Sequence, residues 1–129
     1  MRRDIFSEEH ELFREQFRRF AEKEIEPKIA GWNRDGITDL ATWRRLGDEG
    51  FLGPAMPEEY GGGGGDFLFD AIVLEEIAWR RAHGLITAVH TSICMPYILT
   101  WGTDEQKKKY LPPAIRGETL LGICMTEPG

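Results

Sequence analysis

Residues able to do chemistry are sparse in this chain, and their spacing narrows what they can do. Glycines at 61–65 suggest a phosphate-binding loop. Such a loop needs a strand before it and a Lys-Ser/Thr pair after it, and neither is present. A dinucleotide fingerprint fails on the same strand–turn–helix context, so the run is read as a flexible loop. Glu75 and Glu76 are adjacent. Neighbouring helical residues point in different directions, which suits a structural role better than paired acid–base work. The histidines are His10, His83 and His90. None has a metal-binding partner three or four residues away. His10 is expected on an exposed, solvated turn. His83, before Gly84, is expected at a helix end near the last carbonyls. His90 falls in the most apolar stretch and reads as a hydrogen-bonded core histidine. No serine or cysteine has a recognisable base beside it, which weakens hydrolase readings. Cys94 and Cys124 sit among apolar residues and read as buried free thiols of a reducing compartment.

The elements that must position these residues are mostly helical. Ser7 followed by Glu8 and Glu9 is a helix start. Leu12, Phe13, Phe17, Phe20, Ala21 and Ile25 then recur at helical spacing, and Pro27 should kink or end the helix. Residues 33–36 (Asn-Arg-Asp-Gly) read as a turn. A helix from Leu40 to Asp48 should turn Leu40, Trp43 and Leu46 inward, with Gly50 past its end. Residues 51–65 read as loop, and Asp66 as the cap of a helix with Phe67, Phe69, Ile72, Val73, Ile77 and Ala78 on its apolar surface. Residues 85–101 are apolar almost all round, predicting a buried helix bent at Pro96. Thr103 or Asp104 should cap a charged helix ending before Pro112 and Pro113. The run from 119 to 125 is short, apolar and bounded by turn residues, more strand than helix.

Bulk properties exclude several classes. A hydrophobic content of 41% with 29% charged residues is that of a soluble globular protein. A net charge of −6 argues against a nucleic-acid partner, which wants a basic face. No apolar run approaches the ~20 residues of a membrane span, and the start lacks the apolar stretch of a secretory signal.

Several blocks in order resemble the acyl-CoA dehydrogenase family. They are Gly102-Thr103 with Gln106-Lys107 and Tyr110-Leu111-Pro112, then Gly117-Glu118, then Met125-Thr126-Glu127-Pro128-Gly129. Upstream, Pro57-Glu58-Glu59-Tyr60-Gly61-Gly62, Gly65-Asp66 and Glu75-Glu76-Ile77-Ala78 fit the same pattern, as does the opening helix. The resemblance covers essentially the whole chain, and its wording is similar to long-chain members.

The resemblance implies an all-α fold, the amino-terminal helical bundle of that family, with a short strand at the carboxy-terminal end. Residues 1–118 would be the helical domain and 119–129 the start of a β-domain. It implies FAD as cofactor, fatty acyl-CoA as substrate and a trans-2-enoyl-CoA as product in β-oxidation. Electrons would pass to electron-transferring flavoprotein. Ile123, Cys124, Met125 and Thr126 would lie along the isoalloxazine ring, and Val89 and Ile93, one turn apart, would flank the acyl pocket or else serve plain core packing. The family's catalytic glutamate belongs to the carboxy-terminal domain and is expected beyond Gly129. No catalytic residue is therefore assigned here, and the piece alone is expected to be inactive. The intact protein is expected to be a homo-oligomer, a tetramer, in the cytoplasm or in the mitochondrial matrix of a eukaryote. Two other readings stay open. One is a flavin monooxygenase or nitroalkane oxidase on the same fold; the other is a non-catalytic helical interaction module.

Overall fold

The computed structural model describes residues 4–127. Pro128 and Gly129, the end of the terminal motif, lie outside the described residues. Six α-helices form the framework: α1 Glu8–Glu24, α2 Ile29–Asp35, α3 Leu40–Asp48, α4 Phe67–Trp79, α5 Met95–Trp101 and α6 Asp104–Ile115. Short 3₁₀ turns occupy Glu26–Lys28 and Glu58–Tyr60, and a π-helical segment spans Ala88–Cys94. The all-α expectation holds.

Helix α1 begins where the sequence predicts. The Ser7 hydroxyl accepts the His10 N–H, and His10 Nδ1 accepts the Ser7 N–H at 3.0 Å, so His10 takes the place usual for Glu in a capping box. His10 is not solvated, as expected above, but only 7% exposed. Its Nε2 lies 3.0 Å from Asp66 Oδ1, and its ring packs 4.4 Å from that of Phe69. Asp66 caps α4, so one imidazole ties together the starts of two helices.

Two apolar clusters hold the helices. In the larger, Phe51 lies 4.9–5.4 Å from the rings of Phe13, Phe17 and Phe20, edge-on or tilted, and Leu46, Trp43, Val73 and Ile77 complete the packing. The smaller gathers Met56, Met95, Leu111, Ala114 and Ile115. The loop after α3 joins them, since Phe51 and Leu52 belong to the first cluster and Met56 to the second.

Several expectations are corrected. Residues 33–35 are helix rather than turn, and only Gly36 leaves it, at φ 71°. Burial of Trp32, whose indole N–H donates to Asp39 at 3.0 Å, carries α2 through the polar residues. Leu40, the first residue of α3 after its Asp39 cap, is exposed rather than turned inward. Helix α6 does not stop before its prolines; Pro112 and Pro113 lie inside it. The Lys108 and Lys109 carbonyls that lose N–H donors there belong to exposed residues open to water. Buried Leu111, Ala114 and Ile115 hold the last turn.

The stretch 85–101 is not one buried helix. Its first part is π-helical, with the Met95 N–H reaching the His90 carbonyl. The wider turn accommodates Pro96, whose ring would otherwise press on a preceding carbonyl. Ile86, Ile93, Tyr97 and Trp101 are exposed, so this element forms an edge of the domain. Cys124 is exposed, unlike buried Cys94. The expected terminal strand is absent among the described residues: 120–127 have no regular secondary structure. A strand exists by pairing, and no described segment offers it a partner.

Candidate functional site

The tail after α6 crosses the smaller apolar cluster. Its Leu121 N–H donates to His90 Nδ1 at 3.0 Å, and the Leu121 side chain packs on the cluster. Beyond it Ile123, Cys124, Met125 and Thr126 are exposed. Among the described residues, the backbone of 122–126 makes no hydrogen bond. The segment therefore offers a row of free N–H and C=O groups with one hydroxyl, that of Thr126. This donor and acceptor set fits the polar edge of an isoalloxazine ring.

Two shallow grooves lie along the π-helical segment and α5, and Leu121 lines one of them. One, about 420 Å³, is walled by Tyr97, Ile98, Trp101, Tyr110 and Leu121. The other, about 330 Å³, is lined by Ser92, Ile93, Pro96, Tyr97, Thr100 and Trp101. Tyr97 and Trp101 belong to both. Ile93 is 40% exposed on its groove, whereas half-buried Val89 lines neither. The two residues share one π-helical segment, but the structure does not bring them into a common cavity. The aromatic walls were missed in the sequence reading, although Tyr97 and Trp101 are four apart on one helix and could have signalled an apolar face.

His90 is buried in the same π-helical segment as Ile93. It is 1% exposed, its Nε2 lies 3.0 Å from the Ala114 carbonyl, and Trp43 packs edge-on with ring centroids 5.5 Å apart. Burial lowers its pKa, and the Ala114 carbonyl opposes that shift. The expectation of a hydrogen-bonded core histidine holds. His83 is exposed beyond the end of α4.

Other chemistry-bearing residues serve the scaffold. Glu76 is 2% exposed and meets Arg18 at 2.9 Å, Arg80 at 2.6 Å and Arg14 at 3.3 Å. Burial alone would raise its pKa, but these guanidinium groups hold it below the usual carboxylate value. Glu75 pairs with Arg14 at 3.0 Å. The glycine loop has no N–H groups to spare for phosphate. Those of Gly62, Gly63, Gly64 and Gly65 go to the carbonyls of Pro57, Gly53, Met56 and Pro54 at 2.8–3.1 Å. A β-carbon at Gly62 would collide with the Met56 carbonyl, which explains the glycine there.

Ser7, His10 and Asp66 line up as a nucleophile, base and acid would, with Ser7 Oγ 2.8 Å from His10 Nδ1. Yet Nδ1 also accepts the Ser7 backbone N–H, so the lone pair a base needs is engaged in capping. Among the described residues no cluster of His, Cys, Asp and Glu could hold a metal ion. No helix of the described residues is long and apolar enough to cross a membrane.

The described residues form a helical domain with an exposed irregular segment next to an apolar groove. The family model of the acyl-CoA dehydrogenase N-terminal domain matches residues 7–118. The mouse mitochondrial long-chain specific acyl-CoA dehydrogenase is 40% identical over 127 residues, which is 98% of this chain and 30% of that protein. An acyl-CoA dehydrogenase structure from Geobacillus kaustophilus superposes with a TM-score of 0.91 at 40% identity, over 97% of this chain and 33% of that one. A Bacillus anthracis acyl-CoA dehydrogenase structure complexed with FAD superposes with a TM-score of 0.78 at 30% identity, over 93% of this chain and 21% of that one. The chain belongs to the acyl-CoA dehydrogenase family, of which it carries the N-terminal helical domain. It spans between about a fifth and a third of the length of these relatives.

Proposed function

We propose that this chain is the amino-terminal domain of an FAD-dependent acyl-CoA dehydrogenase that converts a fatty acyl-CoA to its trans-2-enoyl-CoA. The observation that carries the reading is the exposed segment 122–126, whose backbone polar groups are unpaired among the described residues, on a domain of this family. When bound, FAD would supply the acceptor for the hydride leaving the acyl β-carbon. Ile123, Cys124, Met125 and Thr126 would hold the ring edge, with N–H and hydroxyl donors facing the charge that builds up on reduction. Val89 and Ile93 would flank the alkyl chain, each buried methylene contributing roughly 0.8 kcal/mol. No carboxylate here is assigned to removing the α-proton, since Glu75 and Glu76 are held by arginines. Electron-transferring flavoprotein as acceptor, a homotetramer, and a cytoplasmic or matrix setting complete the proposal; the mitochondrial relatives support the last.

The test is flavin uptake by the full-length protein that carries this domain. Bound FAD should co-purify, and Thr126→Val should weaken its affinity or slow its reduction by about fivefold or more, the loss of one hydrogen bond. Unchanged affinity and reduction in that variant would remove Thr126 from the site.

A further inference from the structure

We propose that His90 is a positioning residue, whose neutral imidazole fixes the register of residues 121–126 against the flavin. This rests on the flavin reading of that segment. Three observations lead there.

The first is the tautomer. Nδ1 accepts the Leu121 N–H at 3.0 Å, so the ring proton is on Nε2, which donates to the Ala114 carbonyl at 3.0 Å. That carbonyl also takes the Gly117 N–H at 3.0 Å, filling both its lone pairs. The imidazole thus links the π-helical segment, the last turn of α6 and the tail. The second is the position of the link. The Thr119 N–H reaches the Pro113 carbonyl at 3.2 Å, and Leu121 reaches His90. Past Leu121, the backbone makes no further hydrogen bond among the described residues. Among the described residues Leu121 is the last backbone tether, and it lies two residues before Ile123 and five before Thr126. The third is the company His90 keeps. It lies between Val89 and Ile93 in one π-helical segment, so the proposed acyl-flanking residues and the tether of the flavin segment are carried by the same element.

Two amide variants separate anchoring from packing. In His90→Asn, the side-chain oxygen can stand where Nδ1 stands and keep the Leu121 N–H. In His90→Gln, the amide reaches the Nε2 position and keeps Ala114 but loses Leu121. Both remove the ring from the core. The experiment measures hydrogen exchange at Leu121 and 123–126 in the apo full-length protein, together with FAD affinity and the flavin absorption spectrum. The expected result is wild-type-like Leu121 protection and FAD affinity in His90→Asn. In His90→Gln, Leu121 exchange should rise and FAD affinity fall, each by about five- to tenfold, the scale of one lost hydrogen bond, with a shifted flavin spectrum. Equal effects in the two variants would overturn the proposal, because a packing role alone would not distinguish them. Wild-type protein that takes up no FAD would instead overturn the flavin reading on which it rests. Normal FAD uptake with Leu121 exchange unchanged in His90→Gln would overturn the anchor itself.

Discussion

Asp70 shows at the scale of one residue what burial does to a carboxyl without a cation. It is 4% exposed, and desolvation pushes its pKa from 3.8 to about 6, against the opposing hydrogen bond from the Ala55 N–H. Because the folded pKa lies above the unfolded one, its stabilising contribution is complete below pH 3.8 and is lost as pH rises through about 6. Asp70→Asn keeps an oxygen for the Ala55 N–H and cannot ionise. Its stability advantage over wild type in urea unfolding should be near zero at about pH 4 and grow to roughly 1–3 kcal/mol at pH 7. A gap independent of pH would contradict the assignment. Residue-scale roles were legible where the cause is local. Ser7, Asp66 and Thr103 cap helices as their sequence neighbours predict. His10 was misread because its partner Asp66 lies 56 residues away, and no local pattern announces that contact.

At the scale of elements, Arg14 and Arg18 of α1 meet Glu75 and Glu76 of α4, and Arg80 at the end of α4 closes on Glu76. Glu76→Gln would leave Arg14, itself 7% exposed, without its full counter-charge. Breaking a buried pair on one side costs about 3–5 kcal/mol. Urea unfolding of Glu76→Gln should show a loss of up to that size, since Arg14 keeps Glu75 and Glu11, whereas removing Glu15, which pairs with exposed Arg19, should cost under about 1 kcal/mol. Equal losses would mean that the buried network adds no special stability. The π-helical segment carries a different prediction. Ile93 opens onto the groove of Tyr97 and Trp101, so Ile93→Phe should shift the full-length enzyme's preference toward shorter acyl chains. An unchanged chain-length profile in a normally folded variant would return Ile93 to plain packing. The sequence indicated α1 and α3 because apolar periodicity and caps agree there, and α4 through its Asp66 cap and apolar content. It hid the π-helical turn and the run of α6 through its prolines, since both follow from tertiary packing around Met95, Leu111 and Ile115.

For the whole molecule, the larger cluster binds α1 to α4 into a scaffold, and the smaller holds the glycine loop, α5, α6 and the tail. The proposed site lies on the smaller cluster's side, where Trp101, Tyr97 and Met125 are 79%, 62% and 76% exposed. Family and fold were legible because ordered blocks of residues run through the whole chain. The missing strand was not, since a strand depends on a neighbour that the described residues do not supply. The central claim concerns chemistry, and the most direct measurement is anaerobic titration of the flavin-loaded, full-length protein with saturated acyl-CoAs of graded length. The account predicts bleaching of the oxidised flavin band with stoichiometric formation of a trans-2-enoyl-CoA. A flavin that stays oxidised with every acyl-CoA would contradict it.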